Sequence, residues 1–349
     1  MATTRPSRAA QPARAVRSSR ATERRARQAS EQRTERRVYL AAAVVGIAVV
    51  LIVAVGVLLT VVMPPRTKVV TVGSRTFTAA DVAVRAKYAV VGEQNNAVSS
   101  NPDAVIPTLV REETLRQKAG DLGVSAPDDD LKVKLRKRLG TPNDQSDDVF
   151  RTAYDRYIET LPISRVEFEE IERAAVLRTK AVDSFKSKVG EKGAQLHLFA
   201  VTSQDKQKLD DMRAAVAGGN EFIAEAVARG LVKDSAQADL AWFDPQSLPD
   251  RISPVRDLKA GGLSEVFMDD QTGGYFFAQV IERSDDRAYD DTVKTQVANR
   301  QFLDWLKAQE AELAGESSLS GSAKAWVEHQ IRDALKAAQR RTQAQQAAK

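Results

Sequence analysis

Residues 38–63 read VYLAAAVVGIAVVLIVAVGVLLTVVM, a run without one charged side chain. A helix rises about 1.5 Å per residue and about 20 residues cross a hydrocarbon core of about 30 Å, so the run is long enough to span a bilayer with room for tilt. A cleaved signal peptide fits poorly. The charged region ahead of the run is too long, and no small-residue cleavage site precedes Pro64-Pro65. Arginines crowd the N-terminal side and end in Arg36-Arg37. The positive-inside rule then puts the N-terminus in the cytoplasm and residues 64–349 outside. Ala42 and Gly46 offer a small-residue face for helix pairing.

Charge is divided unevenly about this run. Residues 1–37 hold 11 Arg and 3 Glu, while the rest of the chain holds 41 basic and 44 acidic residues. The tail is Arg, Ala, Ser and Gln with almost no large apolar residue, so disorder is expected. It is read as a topology determinant that also suits anionic inner-leaflet lipid. The remainder is not basic, so no nucleic acid is expected as a partner. The chain has no cysteine and only two histidines, His197 and His329. That excludes a disulfide scaffold, a thiolate zinc site, an iron–sulfur cluster and a cysteine nucleophile, and no cofactor or metal is expected. Aromatic residues make up 6% of the chain, so a core of Ala, Val and Leu in mostly helical segments is expected.

Past the membrane run, Val69–Val72, a turn at Gly73-Ser74-Arg75 and Thr76-Phe77 predict a tight hairpin. Thr78-x-x-Asp81 opens a helix. Ile106, Val110, Leu115, Ala119 and Leu122 form one stripe closed by Gly123. Ser125 is read as the cap of a helix carrying Leu131, Leu135 and Leu139, with Asp128-Asp129-Asp130 at its positive end rather than in a calcium loop. Val149, Phe150, Ala153, Tyr157 and Leu161 mark the next helix, and Ser164-x-x-Glu167 is a capping box for a long one. After Gly190 the period changes. QLHLFAV (195–201), ADLAWF (238–243) and GGYFFAQVIER (273–283) read as strands, with helices and a Gly-Gly turn between them. The order β-α-α-β-α-β-β predicts a small α+β domain.

The unit TVGSRTFTAADV…LVREETLRQKAGDLGVSAPDDDL resembles the N-terminal region of SurA- and PrsA-type folding factors. The blocks QLHLFAV, AVAGGNEFIAEAV, ADLAWFD, LPDRISPV, LKAGGLSEVF and GGYFFAQVIER resemble a parvulin-type (PpiC-like) peptidyl-prolyl isomerase domain. The resemblance implies an α+β chain. A mostly helical SurA-N-like domain (64–190) would receive a parvulin-like insert (191–285). C-terminal helices (286–349), with Phe302, Trp305 and Leu306 on one side, would pack back on the helical domain. It further implies catalytic positions at His197 and Asp234, and a proline pocket of Leu248 and Ile252. Phe276 stands where the family has its second histidine, and Ala238-Asp239-Leu240-Ala241 stand where it has a Gly-Asp-Leu-Gly turn. Trp326, Ile331 and Leu335 predict a last helix on which His329 faces solvent.

Two functions follow from the resemblance. One is a membrane-anchored extracytoplasmic prolyl isomerase and chaperone acting on unfolded or proline-containing exported polypeptides. The other is a non-catalytic chaperone or peptide-binding module with a degenerate parvulin site, which the loss of the second histidine favours. A tethered scaffold for one fixed partner has no positive signal.

Overall fold

The computed structural model describes residues 46–53, 55–57, 62–142, 144–269 and 273–347. The Arg-rich tail and much of the apolar run lie outside these residues. Residues 46–53 and 55–57 are helical and exposed. Among the described residues, no helix is long and apolar enough to cross a membrane.

From Thr67 onward the hairpin expected from the sequence forms as β1 (Lys68–Val72) and β2 (Arg75–Thr78), paired antiparallel. Gly73 turns it with φ +53, and a Cβ there would lie 2.1 Å from Gln117 Oε1, so both conformation and space favour glycine. Asp81 accepts from the Thr78 backbone N–H at 2.7 Å and starts α1 (Ala79–Val91). Then come α2 (Ile106–Lys118), α3 (Asp128–Arg138), α4 (Asp147–Thr160) and α5 (Arg165–Lys186). The capping box forms at α5, where Glu167 Oε2 accepts from the Ser164 N–H at 2.6 Å. Two expectations change here. Ser125 does not cap α3, because Pro127 stands at the N-cap with its fixed φ, and Asp128, Asp129 and Asp130 face the helix dipole. Val149 is 49% exposed. Phe150 and Tyr157 pack inward as expected, and Tyr154 takes the buried position of α4.

The sheet part holds β3 (Lys192–Ser203), α6 (Lys206–Ala217), α7 (Phe222–Ala228), β4 (Asp239–Phe243), β5 (Phe267–Asp269) and β6 (Gly274–Ala288). All pairings are antiparallel, in the order β4-β3-β6-β5. The β3–β6 ribbon runs from Lys192↔Ala288 to Ser203↔Tyr275, so the chain enters and leaves this part side by side.

The chain then returns to the helices as α8 (Asp291–Leu313) and α9 (Gly321–Ala347). Phe302 and Leu306 of α8 join Leu115, Leu177 and Ala181 in one core. Val327 and Ile331 of α9 join Val69, Val70, Val82 and Ala86 in another. The connection between them runs along β1, with Gly315 N–H on Thr71 O at 2.9 Å and Ser318 N–H on Val69 O at 3.1 Å. A buried Asp244 fastens β4 to α8, where Arg300 Nε donates to Asp244 Oδ2 at 3.2 Å.

Candidate functional site

Side chains on a strand alternate between faces, and β3 sits second in a sheet covered on both sides. Leu196, Leu198 and Ala200 join Ala278 and Val280 of β6 in a core that Leu248, Ile252 and Val255 complete. Phe199 and Val201 point the other way, toward Leu209 and Met212 of α6 and Phe222 of α7. Phe276 and Phe277 of β6 divide between the two cores in the same manner.

This alternation sorts the residues that the sequence singled out. Leu248, Ile252 and Phe276 come together in one cluster and are 4%, 5% and 6% exposed. They fill one another's space, and the Phe276 ring meets Phe267 at a tilt of 40° with ring centroids 5.1 Å apart. His197 lies on the opposite face, between Leu196 and Leu198 in sequence. The residue of β3 that faces the apolar cluster near its position is Leu198. Asp234 joins neither group. Its side chain accepts from the Gln237 N–H at 3.2 Å and caps the one-turn helix Ser235–Ala238.

The side-chain neighbours of His197 come from β4 and from β3 itself. Its Nε2 lies 2.7 Å from Asp239 Oδ1, its ring stacks on Trp242 with centroids 5.3 Å apart, and Phe199 meets it edge-on at 5.6 Å. The Arg287 guanidinium lies 3.8 Å above the centre of the Trp242 ring. The His197 side chain is 18% exposed and that of Asp239 39%, so the pair sits at the surface. Burial works to raise the Asp239 pKa. The hydrogen bonds from His197 and from the Ala241 N–H outweigh it and hold this carboxyl below the ordinary value.

The same carboxylate bends its own strand. Asp239 Oδ1 accepts from the Ala241 N–H at 2.7 Å, and Ala241 adopts φ +61, a left-handed conformation that an alanine enters at a cost. The pairing with β3 slips between His197 and Phe199 at this point. A side-chain hydrogen bond from within the strand thus holds a turn conformation that glycine would adopt freely.

Chemically, this face offers an oriented imidazole–carboxylate pair beside a cation-capped indole. The other face offers a packed apolar core. The sequence reading missed Asp239 and Trp242 as neighbours of His197, and Arg287 as the cation on Trp242, since no local spacing links strands so far apart in the chain. Among the described residues, no group of three or more His, Asp or Glu is placed to hold a metal ion.

Residues 30–182 match the family model of the SurA-like N-terminal domain, so this segment of the chain carries a SurA-like domain. No curated protein matches the chain. Among solved structures it is similar to the peptidylprolyl isomerase PrsA of Bacillus anthracis, at 15% identity and TM-score 0.34 over 66% of this chain and 95% of that one. Foldase protein PrsA of Streptococcus pneumoniae aligns at 14% identity and TM-score 0.33, over 63% of this chain and 86% of that one. One of two SurA-like chaperones of Campylobacter jejuni aligns at 13% identity and TM-score 0.24, over 71% of this chain and 94% of that one.

Proposed function

We propose that the chain is a membrane-anchored folding factor that holds unfolded exported polypeptides outside the cytoplasm and does not isomerise their prolines. The SurA-like segment supports the chaperone half of this reading. One observation carries the other half: Leu248, Ile252 and Phe276 are filled core, and His197 stands on the far face of the sheet. A proline ring needs an open apolar pocket with polar groups aimed into it. The competing reading, a parvulin-type isomerase with His197 and Asp234 as catalytic groups, is favoured by the β-α-α-β-β-β order of residues 192–288.

The full chain in lipid nanodiscs decides between them. Aggregation of a denatured model protein should be suppressed, while a protease-coupled prolyl assay should run at the uncatalysed rate. A rate above that control which His197→Ala abolishes overturns the non-catalytic reading. Anchoring is supported by the charge-free run 38–63 and by the exposed Leu51 and Ile52 on its described helical residues. Single cysteines placed at Ser30 and Ser187 test the orientation with an impermeant maleimide on intact cells. Only the second should react.

A further inference from the structure

Five helices, α1, α2, α3, α5 and α8, enclose a cavity of about 330 Å³ in the helical part of the chain. That volume is at the lower end of the range for ligand pockets. Its floor is apolar, with Leu115, Phe302 and Leu306, and Leu303 at its edge is 47% exposed.

The charges around it do not balance. The lining carries five cations against three carboxylates. Arg85 is taken by Glu93 at 3.2 Å and Glu112 at 3.3 Å. Arg138 and Lys134 both serve Glu172, the lysine at 3.6 Å. Arg111 reaches only Glu310, outside the lining, at 3.6 Å. Arg178 is exposed and makes no side-chain hydrogen bond or ion pair among the described residues. Inside, Glu172 is 2% exposed and its Oε2 accepts no hydrogen bond.

The cavity therefore presents together a cation with no partner among the described residues, a buried carboxylate oxygen that accepts no hydrogen bond and that Lys134 approaches only at 3.6 Å, and an apolar floor. A polypeptide segment answers all three, with a side-chain carboxylate for Arg178, an N–H for Glu172 and a large apolar side chain for the floor. We propose that this cavity receives unfolded segments in which an acidic residue stands beside a large apolar one. The inference rests on the chaperone reading above and gives it a client preference.

The test uses the full chain in nanodiscs and three labelled unstructured peptides, read by fluorescence anisotropy. One carries repeated Glu-Phe pairs, one Lys-Phe pairs and one Glu-Ser pairs. The Glu-Phe peptide should bind about ten-fold tighter than either of the others, a difference of ~1.4 kcal/mol. The preference over Lys-Phe should shrink as salt is raised. Arg178→Glu, at an exposed position that leaves packing alone, should reverse that preference. Leu303→Ser should weaken both Phe-containing peptides alike. If wild type suppresses aggregation yet binds the three peptides equally, or if Arg178→Glu keeps the acidic preference, the cavity proposal falls and the chaperone reading stands. If wild type neither binds the peptides nor suppresses aggregation, both fall.

Discussion

The helical part and the sheet part close their cores by opposite routes. The sheet part is assembled from one continuous stretch, with β3 and β6 as its spine and Lys192 facing Ala288 at its mouth. The helical part takes its core from both ends of the chain. Val69, Val70 and Val82 are covered by Val327 and Ile331, and Leu115 and Leu177 by Phe302 and Leu306. A part closed by its own sequence survives alone, whereas a part closed by distant sequence fails when that sequence is removed.

The largest effect should come from deleting residues 315–349. Val327 and Ile331 each lose burial worth about 1.5–3 kcal/mol, and the cover over β1 goes with them. That sum approaches the whole stability of a domain, about 5–15 kcal/mol. Amide exchange should show α1 and β1 unprotected while the β3–β6 ribbon stays protected. The reverse excision, residues 191–288 replaced by a short Gly/Ser linker, should leave a cooperatively unfolding helical fragment, because the cut ends are paired neighbours about 5 Å apart. Unchanged protection of α1 after the first deletion would break the contrast.

Next in size is Phe276→His. On the isomerase reading, an imidazole there restores the missing group and raises the rate. In the structure Phe276 is core, facing Ala278, Val280 and Leu248. The substitution should cost about 2–4 kcal/mol through lost packing and a buried polar ring, with no gain in prolyl isomerisation. Urea unfolding and the protease-coupled assay read the two effects separately. A stable variant with a raised rate would mean that the apolar cluster opens to substrate.

The contrast also explains what the sequence made legible. Helices with their own start signals, such as Ser164-x-x-Glu167, and the Gly73 turn depend on neighbours a few residues away, and they form where expected. The placement of His197 depended on face. QLHLFAV is apolar at nearly every position because both faces of β3 are covered, so its alternation carries no mark of which face is which. One residue of register exchanges the faces. The letter match of QLHLFAV to the family block puts His197 beside Leu248 and Ile252, a place that Leu198 holds. Asp234 lies close to ADLAWF in sequence, and its cap of the following turn is a local role of Asp that competes with any catalytic one. The unbalanced cavity was not legible at all, since its lining comes from helices spread from Arg85 to Leu306.

A smaller effect tests the strained turn beside His197. Ala241 at φ +61 is a position where glycine fits without a clash. Ala241→Gly should stabilise the sheet part by about 0.5–1 kcal/mol, the relief of strain being partly offset by a more flexible unfolded chain. A loss of stability would show that the alanine methyl packs on something that matters more than its backbone.

The smallest effect is a pH dependence on the same face. Asp239 is held below the ordinary carboxylate value by its hydrogen bonds from His197 and Ala241, against the opposing pull of burial. A carboxyl whose folded pKa is depressed contributes stability that is fully present above its unfolded pKa, about 3.9. That contribution is lost as pH falls through the lower, folded value. The carboxylate is 39% exposed, so solvent screens much of the interaction and the effect should be a fraction of what a buried pair gives. Asp239→Asn keeps the shape and an acceptor for the Ala241 N–H but removes the charge. Wild type should therefore be the more stable at pH 6, and the gap between the two urea midpoints should close as the pH falls through and below the depressed folded value of Asp239. A gap at Asp239 that stays constant down the pH series would mean that its link to His197 is an ordinary neutral hydrogen bond, and the two faces of the sheet would then differ in packing alone.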